Sequence, residues 1–312
     1  MSLKFAAIDI GTNAVRLLLS RVVEDDDRPI FEKESFVRIP LRLGEDAFLN
    51  GRISKEKTGS LVETMIGFRH LISAYRAIDF EAYATSAMRE AENREEVAQE
   101  VRDRSGIDIT IISGRMEAEV IYANHIEEQL GQTRNYLYVD VGGGSTELNL
   151  ISCGKVIASK SVNIGSMRML EGKVDESQWQ DMKTWLKGNT AHLRPIYGIG
   201  MGGNINKIFQ LARIEEGRPI SYKVVLQLYK YLSSFTLEER IAELGLRPDR
   251  ADVILFASEI YLFVMKWGKV KKMYVPMIGL ADGIIHVLYD RFGNSGSQTG
   301  NGLLNNARSL QE

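Results

Sequence analysis

The chain has 312 residues, 44% hydrophobic and 26% charged, which is enough apolar material for two domains with cores of their own. A formal net charge of −2 argues against a general electrostatic grip on a nucleic-acid duplex. The single cysteine, Cys153, excludes an internal disulfide and favours a reducing, cytoplasmic location. No run approaches the roughly 20 apolar residues of a membrane span, and no signal-peptide pattern opens the chain, so no membrane partner is expected.

The first half of the chain is predicted to begin with three strands, at Leu3–Ile10, Val15–Val23 and Ile30–Leu41. Gly44–Gly51 is interpreted as a loop, and Ser54 as the N-cap of a helix that reaches about Ala77. Strands and helices then alternate, with predicted bounds Phe80–Thr85, Ser86–Arg104, Asp108–Ile112 and a helix from Ser113. These switches from period 2 to period 3.6 predict strand–helix crossovers and a partly parallel sheet.

The same order of elements restarts about 130 residues later. Strands are predicted at Tyr136–Val141, Ser145–Ser152, Lys155–Asn163, Ile196–Met201 and Lys271–Val275. Helices are predicted at Asp175–Ala191, Asn204–Leu211, Ser221–Ser233, Leu237–Leu244, Asp249–Trp267 and Leu280–Arg291. The sequence therefore predicts an α/β fold with two duplicated domains, 1–124 and 125–292, a cleft between them, and a mobile polar tail at 293–312.

Two strand–turn–strand motifs carry most of the functional signal. They are FAAIDIGTNAVR, Phe5–Arg16, and YLYVDVGGGSTE, Tyr136–Glu147. In each motif a strand ends on an aspartate, Asp9 or Asp140, and a glycine turn follows at once. Such a turn lets backbone N–H groups approach an anion closely, and a neighbouring carboxylate can hold a metal that neutralises phosphate. Facing each other, the two turns would form a phosphate clamp.

The two turns differ in specificity. In the first, Gly11, Thr12 and Asn13 would serve an ordinary hairpin equally well, and that alternative stays open. The second has three consecutive glycines, Gly142, Gly143 and Gly144, and each raises the cost of folding by about 0.5–1 kcal/mol relative to alanine. Hydroxyl and carboxylate groups follow in the same motif, at Ser145, Thr146 and Glu147.

Three further segments are candidates, each with a structural alternative. Gly202 and Gly203 precede a predicted helix, where free N–H groups bind anions, although close helix–strand packing explains them too. Glu117 lies in the first turn of a helix between the halves, where it is either a favourable helix-end charge or a general base. Arg89 either pairs with glutamates on a solvated helix or contacts a phosphate.

In their order along the chain, these segments resemble the exopolyphosphatase/guanosine pentaphosphate phosphohydrolase family, in its short two-domain form. The matching pieces are AAIDIGTNAVRLLL, RLGEDAFLNGRIS, ATSAMREAEN, IISGRMEAEVIY, YVDVGGGSTELNLI, NIGSMRM, GMGGNINKI, ADVILFASEI and IGLADGIIHVL. The resemblance implies two RNase H-like domains of the actin-like ATPase superfamily. It also implies hydrolysis of a terminal phosphoanhydride in polyphosphate or in guanosine penta- or tetraphosphate.

The resemblance also implies roles for individual residues. Glu117 matches the catalytic base and Arg89 an active-site arginine, while Asp140 and Glu147 match the carboxylates linked to a Mg²⁺ cofactor. The phosphate-binding positions it implies are Asp9, Gly11, Thr12, Asn13, Gly142, Gly143, Gly144, Ser145, Thr146, Gly202 and Gly203. Both a monomer and a homodimer are compatible with it.

Several positions depart from the family pattern. Thr12 and Ala14 stand where serines are common, Asn204 stands where a Ser/Thr turn is usual, and Ala281 and Asp282 replace an arginine and a glutamate. With fewer hydrogen-bond donors and one fewer positive charge, the expected affinity for long polyphosphate is lower. Two alternatives to the hydrolase therefore stay open: a non-catalytic nucleotide or (p)ppGpp sensor, and a phosphotransferase on the same fold.

Overall fold

Two mixed β-sheets organise the chain in the computed structural model, which describes residues 2–24, 28–126, 130–131 and 133–296. The first sheet has strand order β3-β2-β1-β4-β5. Its strands are β1 (Ser2–Ile10), β2 (Val15–Val23), β3 (Ile30–Ile39), β4 (Asp79–Ala84) and β5 (Thr110–Ile111). β1, β2 and β3 form an antiparallel meander, and β4 and β5 run parallel to β1.

The second sheet repeats this topology. Its strands are β6 (Asn135–Val141), β7 (Thr146–Ser152), β8 (Lys155–Val162), β9 (Ile196–Met201), β10 (Ile220–Ser221) and β11 (Lys272–Tyr274). The order is β10-β11-β9-β6-β7-β8, so β11-β9-β6-β7-β8 corresponds to β5-β4-β1-β2-β3 of the first sheet. The predicted duplicated α/β architecture is confirmed.

Helices cover the sheets. Those of the first half are α1 (Leu43–Asn50), α2 (Lys55–Tyr75), α3 (Ser86–Glu90), α4 (Arg94–Ser105) and α5 (Gly114–Tyr122). Those that follow are α6 (Ser166–Leu170), α7 (Glu176–Thr190), α8 (Gly203–Leu211), α9 (Tyr222–Ser233), α10 (Leu237–Ala242), α11 (Pro248–Ala251), α12 (Ile254–Trp267) and α13 (Leu280–Gly296). Ser54 caps α2 as predicted, accepting the Lys57 N–H, and Ser113, predicted as the first residue of α5, is its N-cap and accepts the Met116 N–H. No helix in the described part of the chain is long and apolar enough to cross a bilayer.

One predicted loop is wrong, because Gly44–Gly51 lies in helix α1 except for its last residue. This segment forms a helix because it has an apolar face: Leu43, Ala47 and Phe48 are buried in the hydrophobic core of the first half. Gly51, with φ of 70°, ends the helix as its C-cap. The short helix α6 was not predicted at all, because five residues show too little periodicity.

Two predicted helices are each broken in two. Ser86–Arg104 divides into α3 and α4 because Asn93 turns its amide toward Ile53, accepting from the Ile53 N–H and donating to the Ile53 carbonyl, both at 2.9 Å. Asp249–Trp267 divides into α11 and α12 at Asp252, whose carboxylate accepts from Arg42 at 2.5 Å. In both cases a long-range polar contact overrides the local preference for continuous helix.

The predicted tail from 293 is also wrong at its start, since α13 continues to Gly296. The rest of that prediction falls at residues 297–312, outside the described residues. α13 packs against β1, β2, β4 and α5 of the first half. Together with α5 it fills the space between the sheets, where Phe5, Tyr136 and Tyr138 are fully or almost fully buried. The division at residue 125 therefore separates the sheets but not their helices.

The two halves touch at the glycine turns. A Cβ added to Gly143 would lie 2.8 Å from both Cβ and Cγ2 of Thr12, closer than real Cβ atoms come. Gly143→Ala should therefore destabilise the protein by about 1–3 kcal/mol through overpacking. Denaturant unfolding measures the effect.

Gly67→Ala is the matched control for this substitution. Gly67 lies in the exposed face of α2 with nothing within 4 Å of an added Cβ, so alanine should stabilise the helix by about 0.5–1 kcal/mol. Equal unfolding free energies for Gly143→Ala and the wild type would show that the halves do not meet as described.

Candidate active site

The two halves enclose a cavity of about 360 Å³. Its walls come from the turn after β1, the turn after β6, the start of α8 and the loop before α13. Predicted site residues that line it are Asp9, Gly11, Thr12, Asn13, Glu117, Asp140, Gly142, Gly143, Ser145, Gly202 and Gly203. The structure thus assembles most of the predicted site in one place.

Asp9 is the penultimate residue of β1 and is 5% exposed, with its carboxylate paired to Arg16. The strand register explains this pair, because Asp9 lies directly opposite Arg16 on β2, and Arg16 lies opposite Arg38 on β3. One rung of the sheet therefore places a carboxylate and two guanidinium groups side by side at the cavity wall.

The rest of the first turn makes one polar contact within the first half and one with the second half. The hydroxyls of Thr12 and Ser86 share a hydrogen bond of 2.7 Å. The Asn13 amide nitrogen donates to the Asp249 carbonyl at 2.7 Å, across the cleft. The Asn13 Oδ1 atom is buried with no partner in the described structure. Threonine at this position, a departure from the family pattern, still supplies one hydroxyl to the cavity.

Two of the predicted phosphate-binding residues of the second turn do not reach the cavity. Thr146 is fully buried and donates its hydroxyl to the Ile164 carbonyl at 2.6 Å, so it shapes the strand rather than binding phosphate. Gly144 faces the first half, where an added Cβ would lie 2.6 Å from the Phe48 ring. The glycine is therefore needed for close packing of the halves and not for access to an anion.

The turn between β9 and α8, which contains Gly202, lies against Asp140. Gly202 has φ of +91°, and an added Cβ would lie 2.4 Å from Asp140 Oδ1, so only glycine fits there. Tyr261 fixes the strands that carry the two residues. Its buried hydroxyl donates to the Met201 carbonyl at 2.6 Å and accepts from the Val141 N–H at 3.3 Å.

Four carboxylates, those of Asp9, Glu117, Asp140 and Glu147, interact at this site. Burial, then repulsion from Glu147 and, more weakly, from Asp140 and Asp9, raises the pKa of Glu117 well above its usual value, although Arg89 opposes the change. Burial and Asp9 raise the pKa of Asp140 to about 6. Burial and Asp140 raise the pKa of Glu147 to about 7, against hydrogen bonds from serine hydroxyls. A cation beside these carboxylates would therefore favour their ionised forms.

Arg89 holds Glu117 in place instead of lining the cavity. Its guanidinium donates to the Ile112 carbonyl at 2.8 Å and to Glu117 Oε2 at 3.5 Å. Direct contact with phosphate was one reading of the sequence, whereas the geometry gives Arg89 the task of orienting a carboxylate.

Several cavity residues were missed by the sequence analysis. They are cations and amides contributed by both halves: Arg16, Lys33, Arg38, Asn204, Asn206 and Arg250. Arg250 donates to the Asn204 amide oxygen, and burial, with repulsion from Arg38 and Arg16, lowers its pKa to about 9. A signal was present for Arg16, because a charged residue directly before the apolar run Leu17–Leu19 seldom lacks a partner.

The altered residues near the C-terminus also lie at the cavity. Asp282 accepts from the Gly279 N–H at 2.8 Å and pairs with Lys33 of β3 at 2.7 Å. Lys33 also donates to the Met277 carbonyl at 3.1 Å. Asp282, which replaces the glutamate of the family pattern, therefore joins the two halves at the cavity through Lys33. Ala281, which replaces the arginine, lines the cavity but supplies no hydrogen-bond donor from its side chain.

The donor set fits a magnesium ion that arrives with phosphate. In the part of the chain that is described, no three His, Cys, Asp or Glu side chains gather closely enough to hold a metal alone. Mg²⁺ is, however, often held by one or two carboxylates together with waters and substrate phosphates. Asp140 lines the cavity, and Glu147 lies behind it with a buried Oε2 that has no partner among described residues. Both carboxylates would be stabilised in their ionised form by a cation.

Comparison with known proteins finds relatives that match most of the chain. Exopolyphosphatase 2 of Mycobacterium tuberculosis is 27% identical over 311 residues, which cover 90% of this chain and 97% of that protein. A bifunctional 3-dehydroquinate synthase/phosphatase of Fusobacterium nucleatum is 28% identical over 276 residues. These cover 80% of this chain but 41% of that protein, so the chain spans less than half of this relative.

Solved structures share the fold. An Aquifex aeolicus Ppx/GppA family member superposes with a TM-score of 0.74 at 22% identity, covering 94% of this chain and 99% of that one. An exopolyphosphatase from Cytophaga hutchinsonii gives 0.79 at 23% identity, covering 92% and 98%. The profile of the Ppx/GppA phosphatase family matches residues 28–292. With this match over most of its length, the chain belongs to the Ppx/GppA phosphatase family and is a phosphoanhydride hydrolase.

Proposed function

We propose that the protein releases the terminal phosphate of inorganic polyphosphate or of guanosine pentaphosphate, with Mg²⁺ as cofactor and water as the attacking group. One observation carries the proposal: Glu117, a buried carboxylate with a raised pKa, lines a cavity walled by two glycine turns. The name of the Mycobacterium tuberculosis relative supports polyphosphate as the substrate.

The glycine turns bind the terminal phosphates. The N–H groups of Gly11 and Gly142 close the two turns by donating to the Ala14 and Ser145 carbonyls at 3.1 and 3.0 Å. The N–H groups inside the turns, at Thr12 and Gly143, are those that would donate to phosphate oxygens. Arg16, Arg38 and Arg250 place positive charge in the same wall, where it opposes the charge of the substrate. Phosphoryl transfer is catalysed mainly by positioning and by such electrostatic stabilisation.

Glu117 acts as the general base. A carboxylate with a raised pKa takes a proton more readily, and a base is most effective when its pKa lies near the working pH. Glu117 accepts the proton as the water oxygen bonds to the terminal phosphorus, and the bond to the bridging oxygen breaks. Arg89 fixes the orientation of the Glu117 carboxylate through their hydrogen bond.

Asp140 and Glu147 are the residues that would hold Mg²⁺, with Asp140 facing the cavity. The ion neutralises charge on the phosphates and on the leaving oxygen when it is bound. Tyr261 and Gly202 fix the position of Asp140, so the chain itself orients this carboxylate.

Glu117→Gln should lower the rate of phosphate release by about 10²–10⁴-fold, because the amide cannot accept the proton of water. Release is measured with Mg²⁺ on tripolyphosphate, long-chain polyphosphate, guanosine pentaphosphate and ATP. An unchanged rate in this variant would exclude Glu117 as the base.

Glu119→Gln is the matched control, because Glu119 lies on the same helix but is exposed and pairs only with Arg115 in the described structure. Its rate should equal that of the wild type. Binding of guanosine pentaphosphate without phosphate release by the wild type would favour the sensor alternative, and label passing from ATP to a metabolite would favour the phosphotransferase.

Mg²⁺ should raise the melting temperature more at about pH 8 than at about pH 5. The pKa values of Asp140 and Glu147, about 6 and about 7, lie above the ordinary values of 3.8 and 4.5. The folded chain therefore keeps protons that the unfolded chain has released, so the free energy of unfolding falls as pH rises through this window. A bound cation stabilises the folded protein only at pH values where these carboxylates are ionised, so its effect should be larger at about pH 8.

Thermal unfolding with and without Mg²⁺ at the two pH values measures the effect. Asp140→Asn should abolish most of the difference, and Glu119→Gln should leave it intact. A Mg²⁺ effect of the same size at both pH values would argue against these carboxylates as the ligands.

A further inference from the structure

A second groove, of about 400 Å³, lies on the half formed by the second sheet. It is lined by Arg194, Pro195, Ile196, Tyr197, Lys269, Lys271 and Lys272. None of these residues lines the catalytic cavity. Lys269, Lys271 and Lys272 belong to a basic stretch whose sequence alone suggests ordinary surface, but the fold brings them together with Arg194.

The groove and the catalytic cavity lie at opposite edges of one sheet. β6, β9 and β11 are parallel, so all three begin on the side of the groove, and β6 and β9 end beside the cavity, at Asp140 and Gly202. A strand of seven residues such as β6 spans about 20 Å at 3.3 Å per residue. The two sites are therefore separate and lie on the same half of the molecule.

The groove is strongly cationic because the segments that enter it lack acidic residues. The sequence has no aspartate or glutamate between Asp181 and Glu215, or between Glu259 and Asp282. The three lysines and Arg194 are exposed, and the described residues include no ion-pair partner for any of them. This concentration of positive charge contrasts with the net charge of −2 for the chain.

We propose that this groove binds an internal segment of a polyphosphate chain, as a second site that raises the affinity for long substrates. The proposal rests on the proposed function, because the free end of the same chain would occupy the catalytic cavity. Lysine ammonium groups are compact charges without a fixed fork, which suits a flexible polymer of identical phosphates. Two linked contacts raise the overall affinity through effective concentration.

The geometry favours polyphosphate over single-stranded nucleic acid. Nucleic-acid grooves of this kind combine cations with aromatic rings on which bases stack. The aromatic residue of this groove, Tyr197, is only partly exposed, and its ring faces Tyr136, Tyr274 and the guanidinium of Arg134, at 6.3, 6.2 and 5.4 Å. Its ring is thus already in contact with other side chains.

A binding titration tests the proposal in a chelator, where hydrolysis by a Mg²⁺ enzyme does not interfere. The variant carries Lys269→Gln, Lys271→Gln and Lys272→Gln, and the probe is fluorescently labelled long-chain polyphosphate. We expect at least a tenfold loss of affinity. The slope of log affinity against log salt should become smaller by about two, because three charged contacts are removed.

The matched control carries Lys55→Gln, Lys155→Gln and Lys230→Gln, which removes the same charge from exposed lysines elsewhere. It should bind polyphosphate like the wild type. Equal weakening in both triple variants, or none in the groove variant, would overturn the proposal. Stronger competition by a single-stranded RNA of equal charge than by unlabelled polyphosphate would instead assign the groove to nucleic acid.

Kinetics separate this proposal from the proposed function. The groove variant should raise KM for long-chain polyphosphate severalfold and leave kcat and all constants for tripolyphosphate unchanged, because that short molecule cannot span both sites. If the wild type releases no phosphate from either substrate, the proposed function fails while the binding result still decides the role of the groove. Unchanged KM for long chains in the variant would contradict a second site.

Discussion

The contact between the two glycine turns is the constraint on which the rest of the site depends. Thr12 of the first turn packs against Gly143 of the second, and the cavity forms beside this contact. Arg168 secures it from the outside, donating to the Gly144 carbonyl at 2.8 Å, pairing with Glu90 and lying 4.1 Å from the Phe48 ring centre. A buried guanidinium is stable here because carboxylate, carbonyl and aromatic partners all face it.

This close approach explains the electrostatics of the site. Asp9 and Asp140 are the penultimate residues of corresponding strands in the two sheets. Joining the turns therefore brings their carboxylates together with Glu117 and Glu147. Like charges in a buried site raise each other's pKa, and the surrounding guanidinium groups compensate only in part. The arrangement favours a ligand that brings cations with it, as a phosphate substrate with a divalent metal does.

The sequence was sufficient for the architecture because strands and turns follow local rules. Alternating apolar residues and glycine turns located β1, β2, β6 and β7, and the repeated order of elements predicted the duplication. Helix breaks at Asn93 and Asp252 could not be predicted, because each depends on a partner about 40 or more positions away. Threonine and glycine are typical of phosphate-binding loops, and only the fold shows that Thr146 and Gly144 contact other parts of the protein instead.

The packing of α13 against the first half has a consequence for how the protein unfolds. The last described helix belongs by sequence to the second half, yet it packs on the sheet of the first, and the core between the sheets draws on both. The core between the sheets is incomplete in either half alone, although a separate core cluster comes entirely from the second half. The duplicated units are therefore coupled through this shared core, so the unfolding of one would expose apolar surface of the other despite the repeat in their topology.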